Sequence, residues 1–272
     1  YPGDPLVVPG RPTVVPEDGP PPVAETRKPK EPAEPPAPVA PAPPPLLPAA
    51  DASELYCSGY IEHQNQPPSL YIAGRHKERV SVGEGDVVFL NHGRDHGLRP
   101  GDAFFVLRRT KHVDHPTTRK DLGTMVRRMG RLRVMLAHDT SATAVIEMSC
   151  EDILDGDELV PWEEIPVPML SSMPAFDIYD PTPSGGATGH IVAARDNLSA
   201  LGTGQVIFTD LGDLSGVRPG DFVTLYRERE SDLPRVKLGQ AVILTVEADT
   251  STAKIMTAVR ESGIGDRVEV LR

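Results

Sequence analysis

Two short histidine-bearing segments hold the side chains best suited to chemistry. Asn91-His92-Gly93-Arg94-Asp95-His96-Gly97 gathers His92, Asp95 and His96, while His112, Asp114 and His115 follow the next apolar run. Imidazole nitrogens and carboxylate oxygens are common donors to zinc and related metals, so the two segments make a metal site if the fold brings them together. If it does not, they are ordinary loop histidines, and that is the expectation here: no metal, no cofactor and no catalytic residue. The sequence carries no nucleophile elbow, His-Glu-x-x-His, phosphate loop, dinucleotide loop or Cys-x-x-Cys. Asp139-Thr140-Ser141 recurs as Asp249-Thr250-Ser251, where short polar residues suit a hairpin turn better than catalysis.

A second group is cationic. Arg108, Arg109, Lys111, Arg119, Lys120, Arg127, Arg128, Arg131 and Arg133 crowd one stretch of a chain whose net charge is -11. That negative total repels nucleic-acid phosphates and acidic membrane surfaces. Locally, Arg127, Arg131 and Arg133 are a candidate docking face for an acidic glycan or another envelope protein. Trp162 with Tyr56 or Tyr60 offers an aromatic sugar platform, or else packs between domains.

The chain has two cysteines, Cys57 and Cys150. In an oxidising compartment they form a candidate disulfide that closes most of one folding unit; otherwise they are separate buried thiols. Bulky Tyr56 before Cys57 argues against a lipid-anchored cysteine.

These residues must be positioned by elements that the sequence writes twice. Gly85-Asp86-Val87-Val88-Phe89-Leu90 and Gly97-Leu98-Arg99-Pro100-Gly101-Asp102 are answered, at equal spacing, by Gly204-Gln205-Val206-Ile207-Phe208-Thr209 and Gly216-Val217-Arg218-Pro219-Gly220-Asp221. Met129-Gly130 answers Leu238-Gly239, and both copies end in Gly-Asp plus a short apolar run, Gly156-Asp157-Glu158-Leu159-Val160 and Gly265-Asp266-Arg267-Val268. Gly59-Tyr60-Ile61 and Gly189-His190-Ile191 look like matching openings. Pro100-Gly101-Asp102 and Pro219-Gly220-Asp221 read as structural turns: Pro presets φ, Gly supplies positive φ, and Asp accepts nearby backbone donors.

Short β-branched and aromatic runs bounded by Gly and Pro predict strands at 87–90, 103–107, 132–136, 143–148 and 159–160, then at 206–209, 222–226, 241–246 and 253–256. Alternation puts Leu132, Val134 and Leu136 on one face. Single helical turns are expected at 150–154 and 257–261. The fold class is therefore all-β, with two similar small, partly open β-barrels, or sandwiches, after an extended spacer. Eighteen of the thirty prolines fall in residues 1–50, which favours a stiff polyproline II spacer without an apolar core. The expected division is residues 1–9, a spacer over 10–52, repeat one over 53–165, a connector over 166–185 and repeat two over 186–272.

The ordered turns and strands of the two copies resemble the C-terminal domain of the flagellar assembly protein FlgT, and are similar to β-domains that follow LysM modules. Tyr1-Pro2-Gly3-Asp4-Pro5-Leu6-Val7-Val8-Pro9 resembles the last turn and strand of a LysM module, or is another Pro-Gly-Asp turn. The LysM resemblance implies peptidoglycan as partner, bound by a part that would precede Tyr1. The expectation is a processed or truncated piece of a non-enzymatic periplasmic or secreted cell-envelope scaffold. The alternatives are an accessory region of an envelope enzyme whose catalytic domain is missing, and a flagellar or secretion-ring subunit. No stretch of about eighteen apolar residues is present, so no transmembrane helix is expected.

Overall fold

The chain is seen as a computed structural model that describes residue 10 and residues 45–63, 66–77, 80–196, 198–229 and 233–271. The LysM-like residues 1–9 and nearly all of the proline-rich spacer lie outside the described residues.

In chain order the elements are β1 (Leu47–Pro48), α1 (Ala52–Tyr56), β2 (Tyr60–Glu62), β3 (Ile72–Arg75), β4 (Val87–Leu90), β5 (Ala103–Asp114), β6 (Asp121–Ala137), β7 (Ala142–Ser149) and β8 (Glu158–Pro161). Then follow β9 (Met169–Leu170), β10 (Thr188–Ala194), β11 (Val206–Thr209), β12 (Phe222–Arg227), β13 (Val236–Val246), β14 (Ser251–Ala258) and β15 (Arg267–Val270). The architecture is all-β. Repeat two closes as a barrel in the order β10-β11-β14-β13-β12-β15, and repeat one follows the same path as β3-β4-β7-β6-β5-β8. Its seam is lighter: β3 and β8 meet through the single bridge Tyr71–Glu158 and flanking backbone bonds such as Ile72 N–H to the Asp157 carbonyl at 2.9 Å. Repeat one is thus partly open, as expected, while repeat two is fully closed.

One local interaction sets the corners of both barrels. Among the described residues each copy contains three x-x-Gly-(Asp/Gln) turns, ending at Asp86, Asp102 and Asp157 in the first and at Gln205, Asp221 and Asp266 in the second. In every turn the fourth residue's N–H donates to the first carbonyl at 3.1–3.3 Å, and its side-chain oxygen accepts the first residue's N–H at 2.7–3.2 Å. The third residue needs positive φ, which glycine adopts without a Cβ clash; Gly101 has φ 98° and Gly220 has φ 94°. The shared Gly130 and Gly239 answer a different need. A Cβ there would lie 2.2 Å from the Met148 carbonyl oxygen or 2.1 Å from that of Thr257, so only glycine lets the strands approach.

Inside, Ile72, Val88, Leu90, Val106, Leu132 and Ile146 fill repeat one, and Ile191, Ile207, Val223, Leu225, Ile243 and Ile255 fill repeat two. Burying such side chains contributes roughly 1.5–3 kcal/mol each. The strands extend well beyond the predicted runs because β5 and β6 form one long hairpin. Leu136 departs from its predicted face: a register shift between Val134 and Leu136 turns it outward, where it is exposed. The helical turns expected at 150–154 and 257–261 are bends, bridges and strand ends instead. The openings are also not equivalent. Gly59-Tyr60-Ile61 leads into β2, which adds to β6, whereas the counterpart of Ile191 is Ile72; each sits one residue before the same bulge.

Both segments expected as linkers contribute to the fold at their ends. Leu47 and Pro48 pair with Leu170 and Met169. Ala49, Ala50, Leu55 and Leu170 then cover Phe222, Val242 and Leu244 on repeat two. Cys57 follows α1 and is disulfide-bonded to Cys150 at the end of β7, with Cα atoms 5.6 Å apart across 93 residues. Cys57→Ser combined with Cys150→Ser is expected to lower unfolding stability by about 2–5 kcal/mol in non-reducing denaturant titrations. A midpoint equal to that of the native chain would contradict this.

Candidate functional site

The two histidine segments go to different places. His92 and His96 stack with ring centroids 3.9 Å apart, and His112 sits 3.3 Å from Asp114 and 3.4 Å from Asp121. His115, at the tip of the β5–β6 hairpin, instead reaches repeat two. Its Nε2 lies 2.9 Å from Asp210 Oδ2, and His190 Nδ1 approaches the same oxygen at 3.4 Å. Among the described residues this is the group of three whose donor atoms converge, within 4.8 Å of one another.

His115 Nδ1 accepts the N–H groups of Thr117 and Thr118, both at 3.1 Å, so the neutral ring carries its proton on Nε2 and donates it to Asp210. His190 Nε2 accepts from Arg267 Nη1 at 2.9 Å, which leaves its Nδ1 proton for Asp210. Metal ligation through His115 Nε2 would require Nδ1 either to carry a proton against two donors or to remain bare in an imidazolate. The arrangement is therefore a hydrogen-bonded clasp between repeats.

The clasp sits over an apolar seam in which Ile61, Val113, Leu122 and Met125 of repeat one meet Val192, Ala193 and Phe208 of repeat two. Thr252 Oγ1 donates to the Gly59 carbonyl at 3.0 Å, and Lys254 pairs with Glu54 at 2.6 Å. Repeat alignment held the signal for Asp210. Asn91 Oδ1 accepts the Tyr71 N–H as Asp210 Oδ1 accepts that of His190, so only the second copy puts an acid at this position.

Five arginines of the basic stretch are matched internally. Arg127 pairs with Glu151, Arg131 lies 3.0 Å from Glu147, and Arg133 shares Glu147 while donating to the Gly101 carbonyl at 3.0 Å. Arg109 faces Glu62 at 2.8 Å, and Arg108 makes a two-pronged bond to Asp157 that Arg227 repeats with Asp266. Arg127, Arg131 and Arg133 therefore do not form the open cationic face expected of them. Trp162 is half-buried and its ring contacts lie within repeat one: Arg131 is 4.1 Å from its ring centroid, with Tyr56 and Phe105 at 6.1 and 6.2 Å.

Arg128 is buried yet unmatched. Its guanidinium lies 4.8 Å from the Tyr60 ring centroid and 5.7 Å from that of Phe105, and the residue is 8% exposed. Among the described residues none hydrogen-bonds to or ion-pairs with it, and Nη1 is sealed from solvent without a partner. Burial pulls its pKa below the ordinary arginine range, with Tyr60 and Glu247 opposing. Beside it is a cavity of about 340 Å³, lined also by Tyr60, Phe105, Leu107, Val160, Pro161, Glu163 and Ile165. A second cleft of about 430 Å³ lies at the seam, among Ile61, Glu62, His63, Leu122, Glu247 and Asp249. There burial pushes the Glu247 carboxyl up; Arg128 opposes the shift and Glu62 adds to it.

No protein-family model matches the chain, and no curated protein matches its sequence.

Two outcomes follow from this geometry. Asp210→Ala strands the His115 and His190 donors and is expected to cost about 1–3 kcal/mol in denaturant unfolding, whereas Asp249→Ala, at a surface ion pair, costs under about 1 kcal/mol. Equal effects would remove the clasp. Glu247 has a folded pKa above its unfolded value, so the stability it contributes is present below about pH 4.3 and lost as pH rises through the folded value. Glu247→Gln should therefore gain stability over the native chain progressively with rising pH, a trend that paired melts across that range would reveal or refute.

Proposed function

We propose that this chain is a non-enzymatic binding and scaffold part of a bacterial cell-envelope protein, in which the two barrels act as one rigid body. The seam carries this reading. Two repeats that fold independently need neither a shared apolar cluster nor a hairpin tip buried against the neighbour, and here both are present. The disulfide supports an oxidising compartment, the periplasm or the exterior, because reducing cytosol keeps such thiols apart. The LysM-like residues 1–9 support peptidoglycan as the anchor, with the proline-rich spacer setting the distance to the barrels. Residues of the barrels then meet a second envelope component.

The test is co-sedimentation with purified peptidoglycan, comparing this chain with a form extended upstream of Tyr1. The extended form should pellet with the glycan and this chain should stay in solution. If neither pellets, the anchoring reading is rejected. Fractionation of the extended form in its host should place it outside the cytosol with Cys57 and Cys150 oxidised; a reduced cytosolic protein would reject the envelope assignment.

A further inference from the structure

The two copies present the same outer surface with different chemistry. In repeat two, Arg235 lies 4.5 Å from the Tyr226 ring centroid and is fully satisfied: it pairs with the Glu269 carboxylate and donates to the Pro181 and Thr182 carbonyls, each at 2.8 Å. Glu269 sits in register with Thr224 on β12, and the equivalent pair in repeat one is Phe105 with Val160. The acid is thus replaced by valine. An arginine over aromatic rings remains nonetheless, entering from a neighbouring position on the same strand face, since Arg128 opposite Leu107 stands where repeat two has Lys237 opposite Tyr226.

Arg128 Nη1 is unfavourably placed, because this buried nitrogen has given up water without gaining an acceptor. We propose that the cavity beside Arg128 binds a monocarboxylate with a compact apolar group. The ligand's carboxylate does for Arg128 what Glu269 does for Arg235. Its apolar part rests on Phe105, Leu107, Val160 and Ile165. About 340 Å³ is near the lower end of ligand-site volumes, which limits the ligand to a small one. Glu163 in the lining disfavours a second negative charge, and so disfavours dicarboxylates and phosphate. This inference goes beyond the envelope reading and does not depend on it, because glycan attachment and carboxylate binding are measured separately.

The chain's single tryptophan, Trp162, lies 6.2 Å from Phe105 and serves as the reporter. The whole chain is titrated with 4-methylpentanoate, a free acid, and with N-acetylalanine, which carries a peptide-like terminal carboxylate; methyl 4-methylpentanoate and inorganic phosphate are the controls. At least one acid should saturate the fluorescence change near or below about 1 mM, and which one does distinguishes the two sources. The ester and phosphate should not. Arg128→Met should weaken binding at least about tenfold. Val160→Glu, which supplies the missing carboxylate from within, should raise the melting temperature and abolish binding. The proposal is overturned if neither acid saturates by about 10 mM, or if the ester or phosphate binds as tightly as the acid. It is also overturned if Arg128→Met binds within about tenfold of the native chain, if Val160→Glu still binds, or if Val160→Glu melts below the native chain.

Discussion

A side-chain oxygen reaching back three residues to a backbone N–H holds this molecule in shape. Repeated six times, that contact fixes the direction in which each strand leaves its turn, and the barrel order follows from those directions. Glycine at the third position and a short acceptor at the fourth satisfy φ and the orphan donor together, so neither works without the other. Gln205 shows that the requirement is for an oxygen at the right distance, not for a charge. Because the scaffold is fixed by turn chemistry, the outer faces of the two barrels were free to diverge.

That division explains what the sequence made legible. The turns at Pro100-Gly101-Asp102 and Pro219-Gly220-Asp221 announce themselves because Pro and Gly have narrow conformational uses. The edges of β4 and β11 were readable because Gly85-Asp86 and Gly204-Gln205 bound them on one side and apolar residues fill them. Leu136 was not readable, since a bulge resets alternation and leaves no mark in composition. The opening strand of repeat one was misplaced for a related reason: Gly59-Tyr60-Ile61 imitates Gly189-His190-Ile191 in type, while the equivalence of Ile72 and Ile191 is expressed through backbone bonds to Asp157 and Asp266.

The candidate sites were harder to read because their members are distant in the chain. His115 was visible as a possible ligand, yet its partners Asp210 and His190 lie in the other repeat and meet it only because the β5–β6 hairpin is long. The arginine run looked like a surface charge cluster. Geometry matched Arg108, Arg109, Arg127, Arg131 and Arg133 with Glu147, Glu151, Asp157 or Glu62, and held Arg128 against aromatic rings. Composition counts the charges in such a run but does not record which of them meet.

The disulfide also determines how the protein would carry load. A pull along the spacer first reaches the two-residue ribbon of β1 and β9, whose few backbone bonds open under modest tension. It next meets α1, and immediately after that the covalent link from Cys57 to Cys150. From there the covalent path continues beyond Cys150 toward β8, so β2 through β7 lie inside the closed loop and off the line of tension. The barrel of repeat one would thus be spared unzipping from its own first strand.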